Sequence, residues 1–383
     1  MGYPVFIEDS APMMNRKPLR VMVVDDTVLY RKIVSDTLAA LPGVEVVGTA
    51  HNGKAAIAKL ATLKPDLLTL DIEMPEMNGI EVLDHIHRHA PHIGAIMLST
   101  LTHEGGAMTM KALELGAFDF IPKPQTGTMA ENREKIESAI APMIRAFQRS
   151  ARIPGILKTA SRPAKTAITS ASGISSASAA NILRTPFKHS KSEIIAIGIS
   201  TGGPNSLAKM LPMIPGDIGV PILIVQHMPP MFTQSLANSL ASKCAIAVKE
   251  AKQGDPLLPN TAFIAPGGKQ MKIVAGADGK NRIIKITDDP PENSCKPSVD
   301  YLFRSVAHHY VGRSTGVIMT GMGSDGTQGL KLLKKNGATI IAQNEATCVV
   351  FGMPKEAVET GLADTVLPLN QIADMIVKTV RVG

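Results

Sequence analysis

Short apolar runs, each closed by polar residues and followed by a stretch with helical spacing, recur along the chain. Leu19–Val24 ends in Asp25-Asp26, Leu67–Leu70 in Asp71, and Gly94–Leu98 in Ser99. Apolar runs without alternation read as strands buried on both faces, and their exchange with helical patterns predicts a parallel α/β sheet. A helix over Glu131–Arg149 closes this first set. The same grammar returns at Ile194–Ile199, Pro221–Val225 and Thr315–Thr320. A second α/β unit is therefore expected, and no motif repeats at a fixed period.

Between the two sets the pattern stops. From Ser138 to Ser192 there is no acidic residue, whereas Arg145, Arg149, Arg152, Lys158, Arg162, Lys165, Arg184, Lys188 and Lys191 all fall there. Its middle, Lys165 to Asn181, is rich in Ala, Ser, Thr and Gly and buries too little apolar surface to offset ordering entropy, so it reads as a flexible linker. The boundaries expected are 17–149 for the first domain, 150–190 for the linker and 191–383 for the second domain. A length of 383 residues suits two domains, and 44% hydrophobic with 19% charged residues is ordinary globular composition. The net charge of +7 resides in the linker rather than on a recognition helix, and aromatics are 3% with no Trp. Nucleic acid is therefore not an expected partner.

Cys244, Cys295 and Cys348 are odd in number, far apart and without a C-x-x-C pair, so neither a disulfide framework nor a zinc site is indicated. A reducing cytoplasm fits. No run of ~18 apolar residues could cross a bilayer, and Glu8 and Asp9 stand where a signal peptide would be apolar.

Asp25, Asp26 and Asp71 follow strands, and in a doubly wound sheet such ends meet at one crevice. Carboxylates gathered there repel unless a cation holds them, and hard oxygen donors suit Mg²⁺. Taken alone, Asp25-Asp26 also reads as the N-cap of a helix. Ser99 after one strand and Lys123 in Phe120-Ile121-Pro122-Lys123-Pro124 after the next complete the set. A lysine supplies a compact charge to a phosphoryl oxygen and a hydroxyl supplies a hydrogen bond. In this order, with Met74-Pro75 and Asn78-Gly79 after Asp71, the stretch from Leu19 to Thr126 resembles a two-component receiver domain, which implies a flavodoxin-like fold. The resemblance implies Asp71 as phosphoacceptor, with Mg²⁺ held by Asp25, Asp26, Asp71 and the backbone carbonyl of Glu73. It further implies Lys123 as the partner of the acceptor, and Ser99 with Phe120 as the switch.

In the second half Ser200 lies in Gly198-Ile199-Ser200-Thr201-Gly202-Gly203-Pro204, a G-x-S-x-G string directly after a strand. The same glycines could cradle a phosphate at a helix N-terminus. His227 follows PILIVQ, and Asp325 follows the strand TGVIM in Thr320-Gly321-Met322-Gly323-Ser324-Asp325-Gly326. All three should reach one sheet edge, where a serine nucleophile, an imidazole base and an orienting carboxylate can act as a relay. The order Ser, His, Asp differs from the Ser, acid, His order of α/β-hydrolases, so another topology is required.

GISTGGP, QHMPPMFTQSLA, APGGKQM, KPSVDYLF, TGMGSDGTQG and AQNEATCVVFGMPKEAVETG make the stretch from about Ser192 to Val380 resemble the catalytic domain of the chemotaxis protein-glutamate methylesterase family. That family joins a receiver to this domain through a linker, as here. The resemblance implies a carboxylic ester hydrolase with Ser200 as nucleophile, His227 as general base and acid, and Asp325 orienting it. The backbone N–H of Met322 is implied as oxyanion donor and Thr201 as a substrate-positioning residue. Implied too are demethylation of γ-glutamyl methyl esters on chemoreceptors, deamidation of selected glutamines, phosphorylation by a chemotaxis histidine kinase, no cofactor for hydrolysis, and a cytoplasmic monomer. Asn344, Cys348 and Lys269-Gln270 depart from the family pattern, in segments expected to line the cleft. The expected control is a receiver that covers the crevice until Asp71 is phosphorylated.

Overall fold

The computed structural model describes residues 17–124, 126–150 and 190–381. The interior of the expected linker lies outside the described residues. The first domain alternates β1 (Leu19–Val24), α1 (Val28–Ala39), β2 (Val44–Ala50), α2 (Gly53–Leu63), β3 (Leu67–Asp71), α3 (Gly79–His89), β4 (Gly94–Ser99), α4 (His103–Glu114), β5 (Asp119–Pro122) and α5 (Met129–Ser150). Its strands are all parallel in the order β2-β1-β3-β4-β5. This is the flavodoxin-like order, whose crevice opens beyond the C-terminal ends of β1 and β3. β3 is buried at every position, which accounts for its lack of polar alternation.

The second domain runs β6 (Ile194–Ile199), α6 (Gly203–Met210), β7 (Ile222–Gln226), α7 (Phe232–Ala241), β8 (Ala247–Glu250), β9 (Thr261–Ile264), β10 (Gln270–Ala275), β11 (Arg282–Thr287), α8 (Val299–His309), β12 (Ser314–Ile318), α9 (Thr327–Lys335), β13 (Thr339–Gln343), α10 (Met353–Glu359), β14 (Thr365–Leu367) and α11 (Leu369–Arg381). Seven strands form a parallel sheet in the order β14-β13-β12-β6-β7-β9-β8, and β10 and β11 pair as an antiparallel hairpin beside it. The chain leaves β6 toward β7 on one side and later returns to β12 on the other. β6 is therefore the switch point of this sheet, and a crevice is expected at its C-terminal end.

The two sheets share an apolar body. Buried residues of β3 and α4 such as Leu70 and Met110 belong to one cluster with Leu207 of α6 and Leu236 of α7. α4 lies so close to α7 that a Cβ on Gly106 would meet Ser235 Oγ at 2.6 Å. Phe120 stacks on Phe232 with ring centroids 4.5 Å apart. Around this contact Asn205 Nδ2 donates to the Ala117 carbonyl at 3.3 Å, Ser239 Oγ to Glu114 Oε1 at 2.6 Å, and Lys243 pairs with the same carboxylate. The first domain is thus seated on α6 and α7 of the second.

Candidate active site

At the edge of the first sheet, Asp25 and Asp71 are buried and Lys123 Nζ bridges them at 2.8 and 2.6 Å. Asp26 is exposed, and one oxygen from each of the three aspartates lies within 4.8 Å of the others. Burial raises the pKa of Asp71, as does the Asp25 charge, and Lys123 offsets only part of this, leaving it at about 7. Three hard oxygen donors around one ammonium leave excess negative charge, which fits a divalent cation. Glu73 turns its backbone N–H to Asp71 Oδ1 at 3.4 Å. Ser99 Oγ is committed to α4: it accepts from Thr109 Oγ1 at 2.6 Å and lies 3.3 Å from the Gly105 carbonyl. Phe120 points away from this crevice into the contact with α7.

The second site forms where β6, β7 and β12 end. Ser200 leaves β6 with its N–H donating to the Thr320 carbonyl at 2.9 Å, and its carbonyl accepts from Gly203 N–H at 2.7 Å and Gln226 Nε2 at 3.0 Å. This tight turn needs Gly202 at φ +72°, where a Cβ would meet Val349 at 2.5 Å. Gly321 is needed for approach: a Cβ there would lie 2.8 Å from that of Ser200.

Asp325 sits at the N-terminus of α8 and is 3% exposed. Its Oδ1 accepts from Ser298 Oγ, Asn293 Nδ2 and the Asp300 N–H at 2.9, 3.0 and 3.1 Å, and its Oδ2 from the Val299 N–H at 2.7 Å and His227 Nε2 at 2.8 Å. Burial works to raise its pKa, but the imidazole and these donors outweigh it and hold the carboxyl at about 2. For His227 burial opposes the charged form, yet the bond to Asp325 and the neighbouring Cys295 lift it to about 9. Once the ring is neutral, with Nε2–H donated to Asp325, the lone pair is on Nδ1.

Ser200, Thr201, Gln226 and His227 line a cavity of about 170 Å³ whose other wall is Asp119, Phe120, Pro122 and Met143 of the first domain. Among the described residues no hydrogen bond joins the Ser200 hydroxyl to the imidazole. The Met322 N–H likewise has no acceptor among them.

Two expectations need correction. Cys348 and Gln270 do not line the cleft: they are 3% and 0% exposed. Gln270 instead holds the 290–298 loop, donating to the Pro290 and Cys295 carbonyls and accepting from the Ser298 N–H. Sequence reading also missed two groups. Asp119, buried in β5, takes N–H bonds from Phe120 and from Gly202 of the serine turn, and burial pushes its carboxyl up to about 7. An acid inside the apolar run FDFIP was the available signal. Cys295 lies 3.7 Å from His227 Nδ1, a neighbourhood that no spacing announces.

A receiver-type sheet with an acidic crevice, seated on a parallel sheet that gathers Ser, His and Asp at its switch point, defines a response regulator with an enzymatic output domain. Residues 21–134 match the response regulator receiver domain, and residues 195–376 match the CheB methylesterase family. The chain is 58% identical over 369 residues to a protein-glutamate methylesterase/protein-glutamine glutaminase of Desulfotalea psychrophila, covering 95% of this chain and 99% of that one. A protein of the same description from Trichodesmium erythraeum is 40% identical, covering 95% of this chain and 99% of that one. The crystal structure of the Thermotoga maritima CheB methylesterase catalytic domain is 40% identical, with a TM-score of 0.48, covering 49% of this chain and 99% of that one. The chain belongs to the protein-glutamate methylesterase/protein-glutamine glutaminase family and carries both its receiver and its methylesterase domain.

Proposed function

We propose that the second domain hydrolyses γ-glutamyl methyl esters of chemoreceptors in the cytoplasm, and deamidates selected receptor glutamines, under control of phosphorylation at Asp71. The observation that carries this reading is the Asp325 carboxylate, ionised by its five donors and bonded to His227 beside the serine turn. Ser200 Oγ attacks the ester carbonyl while His227 Nδ1 takes its proton, and Asp325 keeps Nε2–H oriented. The oxyanion accepts from the Met322 N–H, and Thr201 positions the substrate. Collapse expels methanol with the proton returned by His227, and water, activated by the same imidazole, releases glutamate. A glutamine follows the same course with ammonia leaving.

In the receiver Asp71 is the phosphoacceptor for a chemotaxis histidine kinase, and Asp25, Asp26, Asp71 and the Glu73 carbonyl would hold Mg²⁺. A cation bound there would supply positive charge to offset that of the phosphoryl group during transfer. Lys123 then pairs with the phosphoryl group, and Ser99, drawn to it, releases Thr109 of α4. Since α4 and Phe120 form the contact with α7, this loosens the cover over Ser200 and His227. The chain works as a monomer.

Release of methanol from methylated chemoreceptor membranes tests the reading. Ser200→Ala should lower it by several orders of magnitude, up to ~10⁶-fold as in the comparable protease series. Equal release by both proteins would refute it.

A further inference from the structure

The imidazole nitrogen that serves as base has a thiol as its neighbour. Cys295 Sγ lies 3.7 Å from His227 Nδ1. Two donors at tetrahedral zinc, with Zn–S of about 2.3 Å and Zn–N of about 2.0–2.1 Å, stand about 3.6 Å apart. The pair is therefore already at the spacing of two zinc ligands. Sγ, an imidazole nitrogen and an Asp325 oxygen also lie within 4.8 Å of one another.

Asp325 has its oxygens committed to α8 and to Nε2, so its part is that of the carboxylate behind a metal-bound histidine, fixing the ring and raising its donor strength. The backbone that carries the thiol is held as firmly. Cys295 and Glu292 exchange backbone bonds at 2.8 and 3.1 Å, Glu292 pairs with Arg304, and Asn293 within the turn bonds Asp325. Cys295 and His227 are both partly exposed, so an ion can reach them. A sulfur and an imidazole nitrogen select zinc over the hard cations that suit the receiver's carboxylates.

We propose that Cys295 and His227 form an inhibitory Zn²⁺ site built on the catalytic imidazole. Binding releases to solvent the Cys295 thiol proton and, where the imidazole is charged, its Nδ1 proton, and the ion then occupies the Nδ1 lone pair, with water in the remaining positions. While the ion is bound, Nδ1 cannot accept the Ser200 proton, so hydrolysis stops until a chelator removes it. The inhibition rests on the reading of His227 as base, whereas the metal site rests on geometry alone.

Co²⁺ as a spectroscopic stand-in, added to the full chain with Mg²⁺ in excess to occupy the receiver, separates the two. Wild type and Cys244→Ser should show the near-ultraviolet thiolate-to-cobalt band; Cys295→Ser should lose it, and His227→Ala should bind at least ~10-fold more weakly. A wild type without the band, or a band that survives Cys295→Ser, overturns the site. In the methanol assay, Zn²⁺ should inhibit wild type at least ~10-fold more strongly than Cys295→Ser, each normalised to its own chelator-treated rate. Equal sensitivity overturns the inhibitory role. A failure of the esterase reading would appear differently, as no methanol from chelator-treated wild type, and the cobalt band would still decide the metal site.

Discussion

Lys123 in the receiver stands between Asp25 and Asp71, a single cation facing more carboxylate than it can balance, whereas Asp325 in the hydrolase has five donors and wants nothing further. Both clusters sit beyond the C-terminal ends of a parallel sheet, yet they are built for opposite purposes. The first is left electrostatically incomplete, which lets a cation and a phosphoryl group change it. In the second the carboxylate and imidazole are already held in place, and control must come from outside. In the control proposed above, that role falls to the shared cavity wall of Asp119, Phe120, Pro122 and Met143. A responsive site and a rigid one are joined through an interface instead of through a common set of groups.

The sharpest way to break this contrast is to spoil the rigid cluster. Asp325→Asn should cut hydrolysis by ~10⁴-fold, as loss of the orienting carboxylate does in serine proteases. It should also change the pH profile. The wild-type rate, corrected for Ser200→Ala, should climb with pH toward about 9 as the imidazole loses its proton. Without the Asp325 charge that limb should move to lower pH. An unshifted limb would show that Asp325 does not set the base.

Weakening the cover should have the opposite sign and a smaller size. Phe120→Ala removes the ring contact with Phe232, worth ~0.5–1.5 kcal/mol beyond burial. The unphosphorylated rate should then rise, by up to about tenfold for ~1.4 kcal/mol. An unchanged or lower basal rate would mean that the interface does not restrain the enzyme.

The last effect is read in stability instead of rate and concerns Asp119. Its carboxyl is held at about 7 in the folded chain against an ordinary 3.8, so the folded state keeps a proton that the unfolded state has lost. Its contribution to stability therefore falls as pH rises between those two values and is flat above about 7. Asp119→Asn should flatten that part of the thermal stability profile, read by circular dichroism.

Much of this was legible because the strands at the centre of each sheet are buried on both faces. Leu19–Val24 and Ile194–Ile199 are strands with the same bounds as their apolar runs. The edges were less visible. β8 and β14 are short and partly exposed, and the β10–β11 hairpin alternates, so they give no unbroken apolar run. Ser200 and His227 could be found since each directly follows a central strand, and Asp325 since it lies in the glycine-rich loop after a third. Cys295 could not, because its place beside His227 depends on a turn held by Gln270 and by the Asn293–Asp325 bond, contacts made between residues distant in sequence. Asp119 escaped for a related reason, since a buried acid acquires meaning only from the second domain's Gly202.

The most direct test of the coupling is the rate of methanol release from methylated receptor membranes with and without a small-molecule phosphodonor and Mg²⁺, for wild type and Asp71→Asn. A coupling of ~1–3 kcal/mol predicts ~5–150-fold stimulation of wild type by the donor and none of Asp71→Asn. Equal rates for the two proteins in the presence of the donor would contradict the account.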